Sequence, residues 1–514
     1  MEDAAHMSSE PARSETVMMP HADVRRIIMG LMLGMLLAAL DMTIVGPTLP
    51  TIGHELGRFD LLPWVVTSYL LVSTAVTPLY GKLADIHGRR VMLLLALGLF
   101  IIGSIACAIS PNMLTLIFAR GLQGLGGGGI MSLTQTIIGD IVAPRERVKY
   151  QVYLATVWVV SNIAGPVLGG YFAQRLHWSM IFWINLPIGL AAWLITSKRL
   201  KAIPRHERPH KLDLIGAFLM MSASTMLLMA LNWGGTHAPW LSPLILGLFA
   251  GSLLLFGLLV ARLLTAEEPL IPLTVLKNKV VSRGMLAMFF AMGSYVSMTI
   301  YVPIYLQDVL GLDIGTSGLA MVPLMMGTTV GAMIGTKCMP YFKRYLRIPV
   351  VFMLLSALSC VPLALMPGNL TFVQVEILLF LAAVGIGPVF PLVNVAIQSA
   401  VPLHELGTTT ALVTFMRSLG ASLEVAVIGT IVVAGIAGVG LSIESGVSAV
   451  SAATSHALAP TFGMVFAVTG ASFGLSFLWL MSVVEPPLLD HRQSSAQPNT
   501  RPNDGAEPAS AAAE

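Results

Sequence analysis

The chain has 514 residues, 55% of them hydrophobic and only 11% charged, with a net charge of +3. A water-soluble domain carries about a quarter charged residues, so this composition excludes an ordinary soluble fold, and the small net charge gives no footprint for nucleic acid. From Leu214 to Ala261 there is no Asp, Glu, Lys or Arg. As one helix that stretch would be about 70 Å long, more than twice the hydrocarbon core of a bilayer, so it must fold back. The apolar runs lack period-2 alternation, which excludes a β-barrel. The expected class is an all-α polytopic membrane protein.

Residues 1–25 are polar, without a signal-peptide core, and read as a disordered N-terminus. The first span covers about 27–49 and contains "LDMTIVGPTLP", with Asp41 about 22 Å beyond Arg26 if the helix is continuous. Span 2 (62–80) leads into "GKLADIHGRR" (81–90), where Gly81 and Gly88 permit a tight turn and Asp85, Arg89 and Arg90 form a charged cluster. Span 3 (91–109) precedes span 4 (113–140), which holds "RGLQGLGGGG" and ends at Asp140. Asp140 is unfavourably placed for its own helix dipole, so a cation, Arg89 or Arg90, should sit beside it. Arg120 lies about 30 Å before Asp140 along span 4 and therefore near Asp41 in depth. A partnership between Asp41 and Arg120, direct or through water or Gln123, is expected. A purely structural Arg120, bonded to backbone carbonyls, is the competing reading.

Span 5 (151–171) carries "GPVLGG" (165–170), with Gly165, Pro166, Gly169 and Gly170. Ser161, Gly165 and Gly169 recur every four residues, a stripe along which another helix can approach closely, and Pro166 should bend the span. Span 6 (181–197) ends at the basic linker "SKRLKAIPRHERPHK", and spans 7 and 8 (212–231 and 241–261) form a hairpin turned by "NWGGTHAPWLSP". After a second linker (262–283) come spans at 284–305, 317–336, 348–366, 373–399, 410–436 and 461–483, then a polar tail. Span 13 places Glu424 about 22 Å beyond Thr409, with Arg417 two turns earlier on the same face, about 10 Å away.

That makes fourteen spans, with both termini on one side. Apart from Arg58, Arg175, Arg120 and Arg417, the lysines and arginines fall in the termini and even-numbered loops. By the positive-inside rule both termini are cytoplasmic, in a cell (plasma or inner) membrane. Trp64, Trp178, Trp183, Trp233 and Trp240 fall at outer span ends, where interfacial anchors belong. The expected organisation is a six-helix bundle (26–198), linkers with a two-helix hairpin (199–283), a second six-helix bundle (284–484) and a disordered tail (485–514). Cys107, Cys338 and Cys360 read as packed thiols, with no disulfide or metal set.

"LDMTIVGPTLP", "GKLADIHGRR", "RGLQGLGGGG" and "GPVLGG", in this order on these spans, resemble the fourteen-span drug:proton antiporter group of the major facilitator superfamily over about 26–484. "YVPIYLQDVLGL" (301–312) and "ELGTTTALVTFMRSLG" (405–420) resemble that group's second half; "GASLEVAV" (420–427) departs from its usual small-residue run by carrying Glu424. The resemblance implies the major facilitator fold, export over import, Asp85 near the start of span 13, and a conformational switch built from Gly81, Asp85, Gly88, Arg89, Arg90 and Asp140.

Asp41, Arg120, Glu424 and Arg417 are the candidates for proton coupling, because ionisable groups at membrane depth mark functional paths and a carboxyl withdrawn from water can exchange a proton. Tyr69, Gln123, Trp158, Asn162, Tyr295, Asn394 and Gln398 are candidate cavity residues, chosen by proximity to the motifs. Methionines such as Met292, Met298, Met321, Met325 and Met326 suit a pocket of adaptable shape or fill helix contacts. The expected activity is proton-coupled antiport of lipophilic drugs or toxic small molecules by alternating access, by a monomer using the proton gradient and no cofactor. No GxxxxGK[ST] motif occurs, so ATP drive is not indicated. The partners implied are substrate, protons and lipid. Export of one endogenous metabolite, siderophore or peptide, and a non-transporting sensor or scaffold, are the rival readings.

Overall fold

The computed structural model describes residues 21–485 apart from Phe59–Asp60, Ala143, 201–212, Thr236, Asp313, Lys343 and 439–451. The expected disordered N-terminus up to residue 20, the tail from 486 and most of the first linker lie outside the described residues. Within them the chain is helical, with one isolated bridge between Gly234 and Ala238. The helices of residues 1–200 are α1 (His21–Ile44), α2 (Leu49–Leu56), α3 (Leu62–His87), α4 (Arg89–Ala108), α5 (Met113–Ile141), α6 (Pro144–Arg175), α7 (Met180–Trp183) and α8 (Asn185–Arg199). The hairpin is α9 (Leu214–Trp233) and α10 (Pro243–Thr265), followed by α11 (Leu273–Lys277). The remainder is α12 (Lys279–Asp308), α13 (Ile314–Leu319), α14 (Val322–Cys338), α15 (Arg347–Leu365), α16 (Phe372–Ile386), α17 (Val389–Ser399), α18 (Leu406–Gly438) and α19 (Ala452–Met481).

Local chemistry sets many of the ends. Asn112 and Thr115 form a capping box at the start of α5, and Thr371 with Gln374 does the same for α16. Asp213, Ser242 and Asn278 cap α9, α10 and α12 by accepting bonds from free backbone N–H groups. Gly88, at φ +91°, makes the turn between α3 and α4 that a residue with a Cβ rarely adopts. Gly387 and Pro388 break one long apolar stretch into α16 and α17.

Thirteen helical stretches among the described residues are long and apolar enough to cross a membrane, one fewer than the fourteen read from the sequence. The difference is α5. Its Arg120, Gln123 and cluster of glycines lower its hydropathy, and most of its length is buried by neighbouring helices. The chain is a multi-pass, all-helical membrane protein.

In the first half α3 and α4 lie along α5, and α1 packs on α6 and α8. In the second, α12 packs on α18 and α19, while α16 lies against α14 and α15. The two halves have separate apolar cores, and α9 and α10 add Ala217, Met220, Leu259 and Leu263 to the second. The halves meet where α18 lies against α3 and α5, and where α6 lies against α14 and α17.

Candidate functional site

The buried polar centre of the first half is built around Asp41, whose surface is 0% exposed. Arg120, 1% exposed, donates from Nη1 to Asp41 Oδ2 at 2.6 Å and to Gln123 Oε1 at 2.6 Å, and from Nε to the Val65 carbonyl at 3.0 Å. Gln123 Nε2 donates to Asp41 Oδ1 at 2.8 Å and to Ser104 Oγ at 2.8 Å. Asn185 Nδ2 reaches the same Oδ1 at 3.0 Å. The guanidinium lies 4.4 Å from the Tyr69 ring centroid and 5.7 Å from that of Phe182, adding cation–π attraction in a buried site. One network therefore ties α1, α3, α4, α5 and α8. A Cβ on Gly103 would come within 2.6 Å of Gln123 N, so the close approach of α4 and α5 needs glycine there.

Asp41 and Arg120 thus meet directly, and Gln123 also bridges them. Tyr69 and Gln123, candidates for cavity lining, are 2% and 0% exposed, Tyr69 packed on Arg120 and Gln123 bonded to Arg120 and Asp41. Asn185 and Ser104 were not anticipated. Asn185 is the lone amide within the apolar "FWINLPIGL", a signal that could have flagged it.

A second cluster lies where α3, α4, α5 and α18 share one membrane face, here called the basic face. Asp85 Oδ2 accepts from Thr408 N at 2.9 Å and Thr408 Oγ1 at 2.7 Å, and Oδ1 from Gly407 N at 3.2 Å. These are free donors of the first turn of α18, where a negative charge is favoured. Arg89 pairs with Asp85 through Nη1 and with Asp140 Oδ2 through Nε at 2.9 Å. Of the two arginines offered for Asp140, Arg89 takes the place; Arg90 turns away and donates to the Ser197 carbonyl at 2.9 Å. A Cβ on Gly81 would lie 2.6 Å from Ala411 Cβ, which is how α3 comes so close to α18.

Asn394 and Gln398 lie at the contact between the halves and are 2% and 3% exposed. Asn394 Nδ2 donates to Gln135 Oε1 at 2.6 Å, and Gln398 Nε2 to the Gln135 carbonyl at 3.4 Å. Gln135, unremarked in the sequence, thereby joins α5 of one half to α17 of the other.

The small-residue stripe of α6 faces α1. Thr43 Oγ1 donates to the Ser161 carbonyl at 2.8 Å, and Cβ atoms on Gly165 and Gly169 would collide with Thr43 and with the Ile44 carbonyl. Gly170 has nothing within 4 Å of a Cβ, and Pro166 is exposed, so both lie off this contact.

In the second half Glu424 is 8% exposed, between α12 and α19. Its Oε2 accepts from Ser472 Oγ at 2.7 Å, while its Oε1 has no hydrogen-bond partner among the described residues. Arg417 has its guanidinium 4.7 Å from the Phe390 ring centroid and its Nη2 3.8 Å from Met292 Sδ, and its Nε has no hydrogen-bond partner among the described residues. Arg417 and Glu424 form no ion pair with each other. Of the cavity candidates only Trp158, Asn162 and Tyr295 remain half-buried, with surface available.

Residues 31–423 match the profile of the Major Facilitator Superfamily. The chain belongs to that superfamily. It is 32% identical over 407 residues to multidrug transporter protein MdtP of Bacillus subtilis, covering 79% of this chain and 74% of that one. It is 31% identical to multidrug resistance protein 3 of the same bacterium (81% of each chain) and 33% identical to efflux pump dotC of Dothistroma septosporum (82% and 73%). Among solved structures, the human organic anion transporter MFSD10 (TETRAN) covers 89% of this chain, and 99% of its own, with a TM-score of 0.62 at 16% identity. A bacterial homologue of the iron transporter ferroportin in an outward-facing state gives 0.60 at 13%, over 88% and 98%. These structures are similar in fold. Membership of this superfamily makes the chain a transporter and not an enzyme.

Proposed function

We propose that the protein is a proton-coupled exporter of lipophilic drugs or toxic small molecules, working by alternating access. The observation that carries this reading is the buried Asp41–Arg120 pair, a carboxylate held far from water by a cation that has other acceptors within reach. If Asp41 gains a proton, Arg120 keeps Gln123 Oε1 and the Val65 carbonyl, so its charge is not stranded. Protonation then alters a contact between α1 and α5 without exposing either. Glu424, with one unpartnered oxygen, is the second proton-exchange group, and Arg417 is the cation nearest to it along α18.

In this reading α5 is the fourteenth span, and two six-helix bundles rock about their interface while α9 and α10 form the inserted hairpin. The basic face is cytoplasmic, both termini lie on that side of the cell membrane, and the protein acts as a monomer with no cofactor. The Asp85–Arg89–Asp140 cluster, with Thr408, closes the cytoplasmic side and must part for substrate to enter. The relatives named for multidrug transport and efflux support drugs as cargo. The driving force is sufficient: one charge crossing 100 mV supplies about 2.3 kcal/mol.

The test is transport in proteoliposomes. A lipophilic fluorescent dye should move against its gradient when a pH gradient is imposed, and stop when an ionophore collapses that gradient. Dye movement indifferent to the ionophore refutes proton coupling. Movement of one metabolite but no lipophilic dye refutes the drug assignment.

A further inference from the structure

The loop that joins α9 to α10 is built around two tryptophans that face opposite halves of the protein. Trp233 meets Trp64, near the start of α3, edge to face, with centroids 5.2 Å apart and an interplanar angle of 83°. Trp240 donates from Nε1 to Thr430 Oγ1, near the far end of α18, at 2.9 Å. Thr430 gives its own hydroxyl proton to the Ala426 carbonyl at 2.8 Å, which leaves an oxygen lone pair for the indole.

The loop is shaped for this arrangement. Gly235 has φ +76°, and a Cβ there would lie 2.8 Å from Trp240 Nε1. A Cβ on Gly234 would run into the same indole. Backbone bonds from Gly235 N to the Ala238 carbonyl and from His237 N to the Trp233 carbonyl, both 2.9 Å, hold the turn closed. His237 stacks on Trp233 at 6.1 Å. A cavity of about 250 Å³ lined by Trp64, Thr67, Trp233 and His237, among others, opens beside this ring contact, and α9 itself packs on α3 and, less extensively, on α18.

The two helices joined here are those that Asp85 joins at the basic face. Trp64 and Asp85 are 21 residues apart on α3, about 32 Å, and Thr408 and Thr430 are 22 apart on α18, about 33 Å. The same helix pair is therefore tied at both ends: by Asp85 to Gly407 and Thr408 on one face, and through the α9–α10 loop on the other.

We infer that the α9–α10 loop is a clasp holding the outer ends of α3 and α18 at the separation they have when the basic face is closed. The inserted hairpin thus acts as a positioning element for the transport cycle. This rests on the alternating-access reading. Rocking brings the outer ends together as the basic face opens, so opening that face must break or distort the Trp240–Thr430 bond. The clasp and the Asp85 latch then favour the same conformation.

The test uses the full-length transporter in lipid nanodiscs, with Cys338→Ser and spin labels at His87→Cys and His404→Cys, two exposed residues at the basic ends of α3 and just before α18. Trp240→Phe keeps the ring against the glycines and removes only the N–H; Thr430→Val removes the acceptor at constant shape; Thr430→Ser retains it. Trp240→Phe and Thr430→Val should each enlarge the long-distance, open population about 2- to 10-fold, the factor carried by one hydrogen bond. Thr430→Ser should match the parent, and Asp85→Asn should shift in the same direction as Trp240→Phe. If Asp85→Asn shifts while Trp240→Phe and Thr430→Val superimpose on the parent, the clasp is refuted and rocking stands. If none shifts, rocking falls and the clasp with it.

Discussion

Replacing Arg120 by leucine is the perturbation that interrogates the buried centre most severely. The change removes two donors at 2.6 Å and one at 3.0 Å, and leaves Asp41, at 0% exposure, with only the neutral amides of Gln123 and Asn185. Breaking a buried pair from one side costs about 3–5 kcal/mol, because the surviving charge is uncompensated. The lost contacts with the Tyr69 and Phe182 rings add about 1–2 kcal/mol. Asp41→Leu should cost a similar amount by stranding Arg120. In the double variant neither charge remains, and the residual cost is that of repacking and of the hydrogen bonds that the Gln123 and Asn185 amides lose. The cycle of two single variants and the double, measured by reversible unfolding in mixed micelles, should give a coupling energy of about 3 kcal/mol or more. If the single costs add to the double within about 0.5 kcal/mol, the two residues do not interact as described.

Four further outcomes follow from the same geometry. Gly169→Ala should destabilise the protein by about 1–3 kcal/mol, because the new methyl meets the Ile44 carbonyl, whereas Gly170→Ala, in open space, should change it by less than about 0.5 kcal/mol; melting followed by size-exclusion chromatography separates the two. Asn394→Leu removes the bond to Gln135 between the halves and should shift the spin-label distances toward the open population about 2- to 10-fold; an unchanged distribution counts against Gln135 as part of the closure. Arg417→Met removes a cation with no carboxylate in ion-pair range among the described residues, so stability should hold or rise while transport falls at least about tenfold; marked destabilisation would show that the cation is structural. Arg90→Gln should leave the Asp85 latch closed, since Arg90 binds the Ser197 carbonyl; opening equal to that of Asp85→Asn would contradict this.

Depth along a helix was legible in the sequence, and the direction of side chains was not. Counting residues from Arg26 and from Asp140 brought Asp41 and Arg120 to one level, and the structure joins them at 2.6 Å. The same reasoning could not separate Tyr69 and Gln123, which lie inside the first half, from Trp158 and Asn162, which keep open surface. An amphipathic surface helix announces its buried face by a polar opposite side. Helix α5 has no such contrast, because other helices cover most of it, and its Arg120, Gln123 and glycines lower its hydropathy enough to cost it its place among the thirteen apolar stretches.

The covering of tryptophan rings was hidden for a related reason. Trp178, placed by the sequence at an outer span end, is 2% exposed, while its Nε1 donates at 2.8 Å to Oε2 of Glu55, whose side chain is 44% exposed. Long-range polar partners were the least legible. Gln135 and Asn394 are 259 residues apart, and Asp41 and Asn185 are 144 apart, so no local pattern links them. Asp85 is the counterexample, since its position followed from the resemblance of "GKLADIHGRR" and not from the residues alone.

The central claim is that buried carboxyls exchange protons as substrate comes and goes. Proton release on adding a lipophilic substrate to the purified transporter, followed with a pH indicator in weakly buffered detergent solution, tests it most directly. The account predicts release by the unmodified protein and its loss in Asp41→Asn, in Glu424→Gln, or in both. Substrate binding with no proton released, or undiminished release when both carboxyls are replaced together, would contradict it.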